Sequence, residues 1–108
     1  MAKFSTIRWL ALGAALALGA PSVHAQQDPI KIGELNSYAR QAAFTVPYRN
    51  GWQMALEEIN AKGGVLGRKI EIISREDGAT TGDATRVADE LVTREGATLL
   101  FGSFLSNV

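Results

Sequence analysis

Three short stretches of this chain have the hydrophobic pattern of β-strands. In the first, Ile30 and Ile32 alternate with Lys31, which predicts a strand over Ile30–Leu35. The same alternation predicts a second strand at about Lys69–Ser74. A short apolar run predicts a third strand over Thr98–Phe101, which breaks into Gly102 and Ser103.

Between these strands the hydrophobic period becomes helical. The first helical stripe consists of Trp52, Ala55, Leu56 and Ile59, and the second consists of Ala84, Val87, Ala88, Leu91 and Val92. Gly63 is expected to end the first helix in a left-handed conformation, and Gly96 ends the second. Thr80 followed by Asp83 fits a capping pattern, so Thr80 is the predicted N-cap of the second helix.

The order strand, helix, strand, helix, strand predicts parallel pairing with right-handed crossovers. The fold class is therefore α/β, a βαβαβ part of a doubly wound sheet, with strand order 2-1-3 as one of the two common solutions. In that order the loops after strands 1 and 3 flank a crevice where ligands bind. These loops are predicted at Asn36–Thr45 and Gly102–Asn107.

The N-terminal residues have the pattern of an export signal. Lys3 and Arg8 precede twelve apolar or glycine residues, and the small residues Val23 and Ala25 follow. This order is that of a secretory signal peptide, cut after Ala25. A buried helix and a membrane span are the alternatives, but twelve residues are fewer than the roughly 20 that a span needs. We therefore expect two regions: a signal peptide at 1–25, and part of an N-terminal α/β lobe at 26–108.

Cleavage would change the charge and remove the sole histidine. Loss of Lys3 and Arg8 leaves 9 basic residues against 11 acidic ones, a net charge of −2, which does not favour nucleic acid. The chain has no cysteine, and His24 lies in the signal. No cofactor, metal site or disulfide is therefore expected.

Two glycine- or serine-containing segments fail the motifs of catalysis that they resemble. "KGGVLGRK" has Ile70 where a phosphate-binding loop needs a hydroxyl, and it lies before a strand instead of after one. "GSFLS" is not the G-x-S-x-G of a hydrolase. Ser103 and Ser106 are instead candidate donors to a ligand carboxylate, with turn or helix-capping roles as the alternative.

The first cleft loop and the end of strand 2 contain further candidates. Tyr38 and Phe44 could stack on an organic ligand and Arg40 could pair with a carboxylate, or these residues could simply be solvated. Glu76 and Asp77 are consistent with capping or solvation more than with a metal site. Trp52 is expected in the core.

The segments "IKIGELN" and "NGWQMALEEINAKGGVLGRKIEII" resemble the start of a type I periplasmic substrate-binding protein of an ABC transporter, in the branched-chain amino acid (leucine/isoleucine/valine) binding family. Asp77, the acid that ends strand 2, also fits this family. The resemblance implies two α/β lobes that close on a small ligand. It implies that Ser106 binds the ligand carboxylate and that Phe44, or else Tyr38, covers the ligand. In the first loop, where the family usually has Ser/Thr-Gly-Pro, this chain reads "NSYARQAAF". Tyr38 and Arg40 in that loop allow the ligand to be a larger or aromatic carboxylate, or an amide.

The expected function is that of a periplasmic solute-binding component of an ABC importer. Its partners would be a membrane permease and a small ligand, namely an amino acid or a related carboxylate or amide. No catalysis is expected, and the full-length protein would be a monomer. The alternatives are an exported α/β enzyme, such as a hydrolase, with catalytic residues beyond Val108, and a membrane-tethered sensor. A repressor of the same fold is disfavoured by the export signal. The ending at Val108, inside the loop after strand 3, predicts that the chain is the opening fragment of a longer protein.

Overall fold

A computed structural model describes residues 27–108, and the predicted signal peptide lies outside them. The elements follow the predicted order: β1 (Ile30–Asn36), α1 (Ala42–Ala61), β2 (Ile70–Glu76), α2 (Thr81–Thr93) and β3 (Leu99–Gly102). Compared with the hydrophobic pattern, β2 ends two residues later and β3 ends one residue later. None of the helices within the described residues is long and apolar enough to cross a membrane.

The three strands form one parallel sheet in the order β2-β1-β3, so the predicted order is confirmed. Glu34 at the centre of the sheet pairs with Ser74 on one side and with Phe101 on the other. Because the strands are parallel, all three carboxyl ends lie at the same edge of the sheet. The loops after β1 and β3 therefore meet there, as the pattern predicts.

The face of the sheet that packs on α2 contains the apolar core. Leu91 is fully buried and packs with Val87 and Ala97 against Leu35, Ile73 and Leu100. Helix and sheet approach closely because residue 33 is a glycine. A Cβ built on Gly33 would lie 2.6 Å from Leu100 Cδ2, closer than real Cβ atoms come, and 3.1 Å from Leu91 Cβ, which is a tight contact.

The face that packs on α1 combines isoleucines with aromatic and polar side chains. Side chains alternate along a strand, so Glu34 shares this face with Ile30 and Ile32. Trp52 covers it, with its ring edge-on to Phe101 at 6.2 Å between centroids. Trp52 and Leu56 of the predicted stripe are half-buried, but Ile59 is exposed. The helix therefore covers this face only in part.

Both predicted helix-end signals near strand 2 are confirmed. Thr80 Oγ1 accepts a hydrogen bond from the backbone N–H of Asp83 at 3.2 Å, which makes Thr80 the N-cap of α2. Gly63 has φ +103°, a left-handed conformation that follows the end of α1.

The predicted first loop, Asn36–Thr45, is too long. Helix α1 begins at Ala42, so Phe44 and Thr45 belong to its first turn. The interior Pro47 and the β-branched residues near it hid this start, because both disfavour helix locally. Tertiary contacts override that preference: Thr45 is buried, and its hydroxyl donates to the carbonyl of Gln41 at 3.1 Å.

Candidate ligand-binding cleft

Asn36 joins the carboxyl ends of all three strands. Its Oδ1 accepts from the N–H of Ser37 at 3.0 Å and from the N–H of Phe104, in the loop after β3, at 2.9 Å. Its main-chain carbonyl accepts from the N–H of Asp77, after β2. Asn36 is 3% exposed, so these bonds are shielded from water. One side chain thus fixes how the loop after β3 lies against the end of β1.

The chain leaves β3 through two consecutive left-handed residues. Gly102 has φ +122° and Ser103 has φ +60°. A Cβ on Gly102 would overlap the carbonyl oxygen of Leu35, so only glycine fits there. Ser103 is held by a bond from its N–H to that same Leu35 carbonyl at 2.8 Å. Non-glycine residues in this conformation are uncommon and often occur at ligand sites.

A cavity of about 300 Å³ lies beside this bend. Its lining consists of Asn36, Phe44, Thr45, Tyr48, Gly102, Ser103 and Phe104. The first turns of α1 form one wall, and the loop after β3 forms the other. The cavity therefore occupies the crevice that the 2-1-3 order predicts between the ends of β1 and β3.

The walls of the cavity are aromatic and the polar groups are few. Phe44 and Phe104 stack with ring centroids 5.0 Å apart and planes 12° apart. The Tyr48 ring packs at a tilt against the Phe101 ring, with the two centroids 6.4 Å apart. The Nδ2 of Asn36 makes no hydrogen bond within residues 27–108, which leaves an amide donor on the cavity lining. An apolar wall with a few polar groups is typical of sites for small organic ligands.

Beneath α1 lies a polar network that sequence reasoning did not identify. Glu34 is completely buried, and its two carboxylate oxygens accept from the Tyr38 hydroxyl at 2.9 Å and from the Ser74 hydroxyl at 2.6 Å. The Arg49 guanidinium lies over the Tyr38 ring, 4.5 Å from its centroid. These contacts fix the Tyr38 ring against the sheet.

The same network affects both tyrosines. Burial, and then the hydrogen bond to Glu34, raise the pKa of Tyr38 above its ordinary value of 10.0. Burial, and then the negative charge of Glu34, raise the pKa of Tyr48 in the same direction. The indole Nε1 of Trp52, also buried, has no hydrogen-bond partner within the part of the chain that the structure describes.

Asp77 supports the loops at the end of β2. It is fully buried, and its Oδ1 accepts from the Ser37 hydroxyl at 2.7 Å and from the N–H of Ala79 at 2.8 Å. Glu76 accepts from the N–H of Ala39 at 2.9 Å. Both acids therefore cap loop backbone, which is the role expected for them. Within residues 27–108 no group of side chains is arranged to hold a metal ion.

The structure brings two of the five predicted ligand contacts together. Phe44 and Ser103 both line the cavity. Tyr38 lies beneath α1 with its hydroxyl bound to Glu34, and Arg40 is exposed in the loop before α1. Ser106 is exposed in the final turn, three residues beyond Ser103, and does not line the cavity.

Asn36, Phe104 and Tyr48 are cavity residues that sequence reasoning did not select. Period-two alternation places Asn36 on the same strand face as Ile32 and Glu34, a signal that could have predicted its burial. The position of Phe104 depends on its backbone bond to Asn36, 68 residues away, which no local pattern shows. Tyr48 lies on the cavity from the second turn of α1, a helical position outside both loops that were predicted to flank the crevice.

A parallel β2-β1-β3 sheet with a cavity at its switch point is the architecture of a ligand-binding α/β lobe. Residues 29–108 match the model of the periplasmic binding protein family. The chain belongs to that family, and the resemblance to its leucine/isoleucine/valine-binding members is confirmed by its relatives.

Among these relatives is an "amino acid binding protein" of Pseudomonas aeruginosa, 34% identical over 91% of this chain and 26% of its own length. A Leu/Ile/Val-binding protein homolog 7 of Brucella melitensis is 39% identical over 90% of this chain and 23% of that protein. The chain thus spans about a quarter of these relatives.

A solved structure shows the same fold. The branched-chain amino acid transporter substrate-binding protein LivJ of Streptococcus pneumoniae, in complex with isoleucine, superimposes with a TM-score of 0.62. Its sequence is 33% identical, and the match covers 67% of this chain and 21% of LivJ.

Proposed function

We propose that the protein is the solute-binding component of an ABC importer and captures an amino acid or a related small carboxylate or amide between two lobes. Residues 26–108 would supply part of the first lobe, and a membrane permease would receive the ligand. The observation that carries this proposal is the aromatic cavity of about 300 Å³ at the switch point between β1 and β3. Membership of the periplasmic binding protein family favours binding over hydrolysis.

The loop after β3 supports carboxylate capture. A carboxylate needs hydrogen-bond donors, and the two serines of this loop differ in what they can offer. The Ser103 hydroxyl donates to the carbonyl of Leu105 at 3.0 Å, so its proton is already used. The Ser106 hydroxyl makes no hydrogen bond within residues 27–108. Ser106 is the proposed carboxylate donor for a ligand that extends beyond the cavity, since Ser106 is not part of its lining, while Ser103 shapes the loop.

The other predicted contacts have distinct proposed roles. Phe44 would cover the apolar part of the ligand from the first turn of α1. Tyr38 would support that wall from below through its bond to Glu34. Arg40, exposed and without an ion pair among the described residues, would attract the anionic ligand to the cleft.

Export would bring this site to the periplasm. The charged, apolar and small-residue order of residues 1–25 supports cleavage after Ala25. The family to which the chain belongs is named for that compartment.

The experiment is a thermal-shift screen of the full-length mature protein against amino acids, amides and small aliphatic and aromatic carboxylates. A binding protein is stabilised by its ligand in proportion to ligand concentration over Kd. We expect at least one carboxylate or amide to raise Tm in a concentration-dependent way, with one-to-one calorimetric binding. Turnover of an ester or amide probe without any such binding would favour the hydrolase alternative and contradict the proposal.

A further inference from the structure

Phe44 and Phe104 form a surface that we call the aromatic shelf. One ring comes from the first turn of α1 and the other from the loop after β3, and they stack nearly parallel. Both line the cavity, and they are 60% and 49% exposed. Each ring contacts its partner and still presents apolar area to the cavity.

The shelf is held in place by backbone and side-chain hydrogen bonds. The Phe104 N–H donates to the buried Asn36, and the preceding N–H, that of Ser103, donates to Leu35 at 2.8 Å. Phe44 lies in a helix whose neighbouring Thr45 is buried and bonded to Gln41. Because both rings are already positioned, a ligand would not have to order them on binding.

We propose that the aromatic shelf is the specificity determinant of this site and that it selects a small carboxylate bearing an aromatic ring over one with an aliphatic side chain. This inference rests on the proposed function and names its ligand class. A third ring can stack on, or meet edge-on, the free area of Phe44 and Phe104, and Tyr48 borders the same space. An aliphatic side chain would also be buried there, but it would not gain the additional free energy of interaction between aromatic rings.

The proposal differs from what the LivJ complex would suggest, since isoleucine is the ligand in that structure. A ring–ring contact adds enough free energy to favour the aromatic ligand by about 2- to 12-fold per ring contacted. The rival occupant of the shelf is another part of the polypeptide. In that case the rings would support the fold and would not discriminate between ligands.

The test uses the full-length protein and two matched pairs of probes in titration calorimetry. The pairs are L-phenylalanine with L-leucine, and hydrocinnamate with isocaproate, so that only the side chain differs within a pair. We expect the aromatic member of at least one pair to bind more tightly. Phe104→Leu and Phe44→Leu should each lower that preference by about 2- to 12-fold. Phe104→Tyr, which keeps the ring, should retain the preference.

Met54→Leu serves as the control, because Met54 is 69% exposed on α1 and does not line the cavity. It should leave the preference unchanged. If the aliphatic probes bind as tightly as the aromatic ones, or if both Phe→Leu variants lose stability but keep the preference, the shelf inference is overturned while the binding function stands. If none of the four probes nor any other carboxylate or amide binds, the proposed function itself fails.

Discussion

The two serines of the loop after β3 show how a local hydrogen bond decides which hydroxyl is available to a ligand. Ser103 is nearer to the cavity, but its proton is directed to the carbonyl of Leu105. Ser106 is exposed and has its donor free among the described residues. A residue type and its position in a loop are readable from sequence, whereas the use of its proton is not.

Substitution of Ser106 by alanine should weaken binding of the carboxylate ligand in the full-length protein by about 10- to 200-fold. The reason is that a hydrogen bond to a charged group contributes about 1.5–3 kcal/mol, at about 1.4 kcal/mol per tenfold change in Kd. Titration calorimetry measures the change. Ser103→Ala gives a comparison within the same loop: this hydroxyl lines the cavity but is bonded to Leu105, so its loss should mainly lower stability, by about 1 kcal/mol. Unchanged affinity in Ser106→Ala would leave this serine with no role in binding.

Glu34 illustrates a buried group that the pattern could have revealed. It stands two residues after Ile32, so alternation puts it on the same covered face. Its carboxylate is tolerated there because the hydroxyls of Tyr38 and Ser74 satisfy it. What alternation cannot supply is the identity of these partners, since Ser74 is 40 residues away.

Replacing Glu34 with glutamine should lower the pKa of Tyr38 and of Tyr48, since the charge of Glu34 raises both. Burial, the largest cause for both residues, remains in the variant, and for Tyr48 nothing opposes it, so the pKa of Tyr48 should stay above 10.0. The sign for stability follows. Folding raises these pKa values, so their contribution is complete below pH 10.0 and is lost as the pH rises through the folded values.

Ultraviolet titration of tyrosinate provides the measurement, with Tyr38→Phe and Tyr48→Phe difference curves isolating each residue. Glu58→Gln is the matched control, because Glu58 is exposed and pairs with Lys62. Its curves should coincide with those of the unmodified protein. A titration midpoint of Tyr38 below pH 10.0 in the unmodified protein would contradict the prediction.

At the scale of elements, the hydrophobic period was sufficient to predict the two helices and three strands of the described residues. The sheet order was chosen from two common solutions, and the structure confirms that choice. The error lies at the start of α1, where Pro47 and β-branched residues disguise the first helical turn. Because of this error Phe44 was expected in a loop, whereas it lies in the first turn of α1. The prediction of this cavity wall therefore depended on where α1 begins. Tertiary contacts, such as those of the buried Thr45, set that boundary.

Two glycines in different elements should respond in opposite ways to alanine. Gly33→Ala should destabilise the full-length protein by about 1–3 kcal/mol, because the new methyl group would meet Leu91 and Leu100 in the α2 interface. Gly51→Ala should stabilise it by about 0.5–1 kcal/mol, since Gly51 is in the interior of α1 and nothing lies within 4 Å of an added Cβ. Denaturant unfolding of both variants gives the comparison. A neutral Gly33→Ala would show that α2 can shift away from the sheet easily.

At the scale of the whole molecule, much of the apolar surface of the described residues has no partner among them. Within residues 27–108 the buried hydrophobic residues are Ala84, Val87, Leu91 and Ala97. Large apolar side chains remain exposed on several elements, including Met54 at 69%, Leu99 at 59% and Phe104 at 49%. The fold class was predictable from a short segment because the βαβ pattern is local. The closed ligand site was not, because its residues come from distant positions.

Residues 27–108 alone should therefore not fold into a stable monomer. The buried apolar set is small, and β2 and β3 each have one edge unpaired within these residues, which favours unfolding or edge-to-edge association. Calorimetric melting and sedimentation of this segment, beside the full-length mature protein, supply the measurement. We expect a cooperative transition only in the full-length protein, and either no transition or concentration-dependent association in the segment. A single cooperative transition from a monomeric segment would show that the α2 core is sufficient by itself, and that the exposed apolar residues are not required to be covered for folding.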